Sequence, residues 1–131
     1  MALTATLAVD DRWSSGKYSM VIGSITVVHS DLTAYSVGGV AITGADGSSL
    51  TTEQMLRRAL GFDVEIKQIH CEPLFDGDGT QQEGYVAAVN KSTSKIMLLG
   101  GAGATETALD EPNGTALSNG TYVTRFLAIG R

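Results

Sequence analysis

The residues able to do chemistry in this chain are few, and their spacing decides what each can do. His70 and Cys71 adjoin, a pairing that would suit a thiolate nucleophile and its base. Neighbours on a strand project to opposite faces, so these two cannot hydrogen-bond to one another. Cys71 is expected as a small apolar filler. Asp76-Gly77-Asp78-Gly79-Thr80 offers oxygens at alternating positions, like the opening of a calcium loop. The twelfth position counted from Asp76 is Ala87, where such a loop needs a bidentate Glu. Even with Glu83 nearby, the segment is expected as a solvated acidic turn. Ile96 to Thr105, IMLLGGAGAT, resembles a strand entering a nucleotide-binding glycine turn. The fingerprint fails where Glu106 replaces the last glycine, because a carboxylate there repels a pyrophosphate, and Pro112 and Asn113-Gly114 interrupt any following helix. No serine lies in a nucleophile elbow. The carboxylate pairs Asp10-Asp11 and Asp110-Glu111 fall in loop-like contexts. No catalytic, cofactor-binding or metal-binding residue is assigned, and the chain is read as not an enzyme.

Composition narrows the classes further. Nine basic residues against fourteen acidic ones give a net charge of −5, with no basic cluster beyond Arg57-Arg58. Such a surface repels phosphate backbones, so nucleic acid is not an expected partner. No apolar run approaches the ~20 residues of a membrane span, and MALTATLAVDDRW lacks the basic and apolar regions of a signal peptide. One cysteine makes no intrachain disulfide. The expectation is a soluble protein made in a reducing cytoplasm. The three sequons at Asn90, Asn113 and Asn119 are then chance matches.

The elements that must hold these residues are mostly strands. Thr121 to Arg131, TYVTRFLAIGR, alternates Val123, Leu127 and Ile129 with Thr124, Phe126 and Ala128, as a strand buried on both sides would. Arg125 shares the face of Val123, Leu127 and Ile129. It is expected in a largely apolar setting, in a structural role, with a carboxylate such as Glu65 or Glu72 or strand-end carbonyls as its partner, within the subunit or across an interface. Lys17 to His29 is too long for one straight strand, and Gly23 suggests a bend or bulge within it. Ser14-Ser15-Gly16 is a turn. Thr51 to Leu60 is the one credible helix, with Thr51 as cap, Gln54 completing a capping box and Gly61 closing it. Phe62, Val64 and Ile66 alternate with charged residues as a half-buried strand, and the phase flips at a bulge near Lys67-Gln68. Gly84 to Asn90 and Lys95 to Leu99 form a hairpin, while Gly100 to Gly120 is a long excursion.

Six or seven strands with many glycine turns predict an all-β fold, an antiparallel β-sandwich or jelly-roll-like barrel with one short helix. Residues 1–15 are assigned to an N-terminal arm or first strand and 16–131 to a single β-sandwich domain. Ala2 to Trp13 has no evident partner segment, which suggests a contact role for it.

The order of motifs carries a further signal. Gly16-Lys17 precedes Val21-Ile22-Gly23-Ser24-Ile25-Thr26. Tyr35-Ser36-Val37-Gly38-Gly39-Val40-Ala41-Ile42 follows, then Leu60-Gly61 leading to Val64 and Ile66, Gly84-Tyr85-Val86, the Asn90 to Met97 hairpin, and Val123 to Gly130. This succession resembles the small head-decoration, or cement, proteins of tailed bacteriophages. The capped helix and the Gly100 to Gly120 insertion depart from that pattern. The resemblance implies a virion protein on the capsid exterior that binds the major capsid protein, often as a homotrimer, and stabilises the shell. Trp13, Tyr35 and Arg125 are the candidate capsid or intersubunit contacts. The rival readings are a head-fibre base or tail protein, and a carbohydrate-binding β-sandwich.

Overall fold

The computed structural model describes residues 4–29, 38–76, 82–100 and 120–131. Strand β1 (Thr4–Ser15) runs antiparallel to β2 (Tyr18–His29), joined by the two-residue turn Gly16-Lys17. Gly16 takes φ 63°, a value open to glycine without strain. Strand β9 (Gly120–Gly130) flanks β2 in unbroken register from Ser19↔Gly130 to His29↔Gly120. Thr4 to Trp13 therefore have a partner segment in β2, which corrects the expectation that none lay beside them. The turn also lies one residue later than Ser14-Ser15-Gly16 suggested.

The remaining strands are β3 (Val40–Thr43), β4 (Ser49–Leu50), β5 (Ile66–Cys71), β6 (Pro73–Asp76), β7 (Gln82–Asn90) and β8 (Lys95–Gly100). The order β1-β2-β9-β6-β7-β8-β3 closes on itself through a parallel pairing of β1 with β3 at Ala5↔Ile42 and Thr6↔Thr43. The fold is thus an all-β closed barrel of seven strands with one short helix. It is mixed and not wholly antiparallel, because the closing pair is parallel. Strand β4 extends β3, and β5 lies on β9. Ala5, Val21, Ile25, Val27, Ile42, Leu74, Ile96, Leu98, Phe126 and Ala128 fill the interior from all sides.

The far edge of β9 is divided. Its C-terminal half carries β5, and its N-terminal half carries β6 at Phe75↔Val123 and Asp76↔Tyr122. Between them, the buried Thr124 hydroxyl donates to the Glu72 carbonyl at 2.6 Å, while the Glu72 amide donates to the Arg125 carbonyl at 2.9 Å. A buried hydroxyl is tolerable when it is hydrogen-bonded in this way. The bulge expected near Lys67-Gln68 is present as a register shift between Ile66 and Gln68.

Helix α1 (Glu53–Leu60) buries Leu56 and Leu60, spaced i,i+4 on one face. Its cap is Thr52, whose hydroxyl accepts from the Met55 amide; Thr51 instead donates to the Met55 sulfur at 3.4 Å. The cap thus lies one residue after Thr51, and because the third helical position is then Met55 and not Gln54, the expected capping box is not formed. Gly61, at φ 83°, ends the helix. Arg12 of β1 donates to the carbonyls of Leu60 at 2.8 Å and Gly61 at 3.0 Å, so a strand guanidinium satisfies carbonyls that the last turn leaves without partners.

The strand expected from Phe62 begins only at Ile66. Phe62 is buried, whereas Val64 is 58% exposed. The amides of Val64 and Glu65 donate to the Arg131 carbonyl, and the Phe62 amide donates to Arg57. The helix exit consumes these backbone groups, so the alternation of Phe62 and Val64 does not mark a strand face.

Candidate functional site

Residues directly opposed in neighbouring strands share a face, so register alone locates a surface on the outside of β1, β2, β9 and β5. One row across it runs Trp13, Met20, Ile129, Gln68; the next runs Asp11, Ile22, Leu127, His70. Ser24 and Arg125 begin a third. The alternate residues, including Val21 and Ala128, point into the barrel. The outer face is therefore apolar through its middle. Trp13 is 49% exposed and Met20 41%, while Ile22, Leu127 and Ile129 are half-buried. The final strand is accordingly buried on its inner face and only partly covered on its outer one.

Two features shape this surface. Strand β1 has a bulge between Val9 and Asp11, leaving Asp10 as the extra residue opposite Gly23 and Ile22. Here lies the irregularity expected at Gly23, on the partner strand instead of on β2. Gly23 is bare because a Cβ there would collide with the Ala8 carbonyl oxygen and lie 2.8 Å from the Phe126 ring. Second, a cleft of about 380 Å³ opens beside Arg125, walled by Ile22, Gly23, His70, Cys71, Glu72, Phe126 and Leu127.

Arg125 is not in an apolar setting. Its side chain is 68% exposed and meets Asp10 at 3.5 Å, so neither Glu65 nor Glu72 is its partner. Glu65 instead accepts from the Arg131 Nε at 2.8 Å. Asp10 and Asp11 lie on a strand and not in a loop. The Asp11 carboxylate accepts from the Arg12 amide at 2.8 Å. Trp13 stands at the exposed end of the surface. Tyr35 lies outside the described residues, as do most of the acidic turn after Asp76, the glycine run after Gly100, and Asp110-Glu111.

His70 and Cys71 take opposite faces. His70 is exposed and shares a 2.9 Å hydrogen bond with Gln68 Oε1. Cys71 is half-buried against the core, and burial raises its thiol from the ordinary 9.0 to about 11. A thiol held so firmly in its protonated form is a poor nucleophile at neutral pH.

A second, larger cleft of about 580 Å³ lies between β1, the 44–50 turn and α1, bounded by Leu7, Val9, Asp46, Met55, Arg58 and Ala59. The amide and hydroxyl of Ser48 donate to Asp46 at 3.0 and 2.6 Å and hold its carboxyl below the usual range. These bonds are the local closure of a turn. Among the described residues, no three His, Cys, Asp or Glu side chains are grouped as a metal site, and no helix is long and apolar enough to cross a membrane.

Comparison of the chain with protein-family models, curated proteins and solved structures finds no match. The outer face of β1, β2, β9 and β5 was missed as a surface because its residues come from three separate stretches. The signal that could have found it is the spacing of Met20 with Ile22 and of Leu127 with Ile129, each two apart on a strand.

Proposed function

We propose that this chain is a virion structural protein that binds the exterior of an assembled phage capsid and stabilises it. The observation that carries the reading is the succession of motifs from Gly16 to Gly130. The Gly16-Lys17 turn, the Val21 to Thr26 run in β2, Val40 to Ile42 in β3, and the β7–β8 hairpin follow the order of that resemblance. The Val123 to Gly130 run in β9 completes it. The outer face supports a binding role, since a half-exposed Trp beside Met20 and Ile22 is the composition of an interface centre. Its partner in this role is the major capsid protein. The resemblance also brings a homotrimer, in which three linked contacts to the shell act together and strengthen a weak single contact.

The reading is tested by co-sedimenting purified protein with undecorated heads of the phage whose genome encodes it. Saturable pelleting with heads, abolished by Trp13→Ala together with Met20→Ser, is the expected result. Pelleting with isolated tails only would favour the tail or fibre alternative, and no binding to either would overturn the proposal.

A further inference from the structure

We propose that the cleft between β1, the 44–50 turn and α1 binds the C-terminal end of an extended peptide, paired along β1 with its carboxylate on Arg58. The cleft is a gap in the seam of the barrel. Strands β1 and β3 meet in parallel only at Ala5↔Ile42 and Thr6↔Thr43. Past Thr43 the chain folds back through a turn, in which the Gly44 amide donates to the Ser48 carbonyl at 2.8 Å and the Gly47 amide to the Gly44 carbonyl at 3.0 Å. Beyond Thr6, among the described residues, β1 therefore has a strand on one side only, which is β2. Alternate residues of such an edge turn their amides and carbonyls away from the sheet, and an extended backbone is the partner that satisfies that row.

The walls suit the side chains of an incoming strand. Ala5, Leu7 and Val9 alternate onto the inner face of β1, opposite the face that carries Trp13. Ala5 and Leu7 are buried in the core, whereas Val9 is exposed and lines the cleft with the exposed Met55 of α1, above Leu50 and Ala59. Apolar side chains on two sides of one cleft leave water only when something apolar enters between them. The volume, about 580 Å³, falls within the ~300–1,000 Å³ of ligand sites.

Arg58 supplies the charge. Of the five arginines, Arg12, Arg57, Arg125 and Arg131 hold carbonyl or carboxylate partners. Arg58 has no hydrogen bond or ion pair among the described residues, although it lines the cleft. Asp46, the carboxylate of the same cleft, is taken by the Ser48 amide and hydroxyl and forms no ion pair with it. A free guanidinium beside an apolar cleft selects a planar anion, and a terminal carboxylate accepts two of its N–H groups at once. An amidated end leaves those donors unmet. The cleft lies apart from the outer face, so the proposal does not rest on the capsid reading.

Fluorescence anisotropy with a synthetic probe tests it. The probe is a pool of labelled short peptides whose last positions are drawn from Val, Ile, Leu, Thr and Ala, made as the free acid and as the C-terminal amide. The acid pool should bind saturably and the amide pool at least about tenfold more weakly, the usual worth of one hydrogen bond to a charged group. Arg58→Ala, at an exposed position, should bring the acid pool down to the level of the amide. Val9→Asp should abolish binding of both, with an unchanged circular dichroism spectrum. Methylating the backbone nitrogens of the acid pool should also abolish binding, because those groups can no longer donate to β1. No binding of the acid pool, equal binding of acid and amide, or full binding of the methylated pool would each overturn the proposal. Decanoate displacing the acid pool as well as the unlabelled peptides do would also overturn it, and would assign the cleft to free alkyl acids.

Discussion

Gly23 has no room for a side chain, and this single fact binds three strands. The β1 bulge brings the Ala8 carbonyl in from one side and Phe126 closes from the other. Gly23→Ala is expected to cost about 1–3 kcal/mol, as overpacking in a filled core does, measurable as a lower midpoint in urea. Arg125 should behave in the opposite way. Its exposed 3.5 Å pair with Asp10 belongs to a class worth about 0–1 kcal/mol, so Arg125→Met should leave stability within that margin. A larger loss would restore the buried-charge reading that the alternation of β9 suggested. Cys71 offers a pH signature. Its folded value, about 11, exceeds the ordinary 9.0, so the folded state holds the thiol proton more tightly. The stability it contributes is complete below pH 9 and is lost as pH rises towards 11. Between those values Cys71→Ala should lose less stability than the parent, as read by denaturant midpoints at each pH.

At the scale of elements, the helix cap separates two adjacent threonines. Thr52→Ala should cost about 1 kcal/mol, the usual worth of an N-cap, whereas Thr51→Ala should cost much less; thermal midpoints of the two variants decide it. The helix, its closing Gly61, the β7–β8 hairpin and the Lys67-Gln68 bulge were all legible, because each is written in local turn, cap or phase chemistry. The cap itself was displaced by one residue because Thr51 and Thr52 are equivalent in sequence, and only the chain's path chooses between them. The false strand start at Phe62 has a similar cause. Phe62 faces the core from the turn that closes the helix, its amide taken by the Arg57 carbonyl, and the amides of Val64 and Glu65 are claimed by Arg131, which lies far away in the sequence.

For the whole molecule, β composition and frequent glycine turns sufficed for an all-β fold with one helix. Closure did not follow from them, because it depends on a two-residue parallel match of Ala5 and Thr6 with Ile42 and Thr43. The interaction surface was half legible. Trp13 was evident as the largest apolar side chain, but Met20, Ile22, Leu127 and Ile129 join it only through the β1-β2-β9 register. Arg125 lies beside that surface, yet its partner Asp10 comes from a bulge that no local pattern announces. Where this barrel resides is decided by a cryo-electron-microscopy reconstruction of the intact particle. Density fitting the seven-strand barrel is expected on the outer shell at repeated lattice positions, with the Trp13 face turned towards the capsid. A shell bare of that density, with the barrel found in the tail or missing from the particle, would contradict the capsid role.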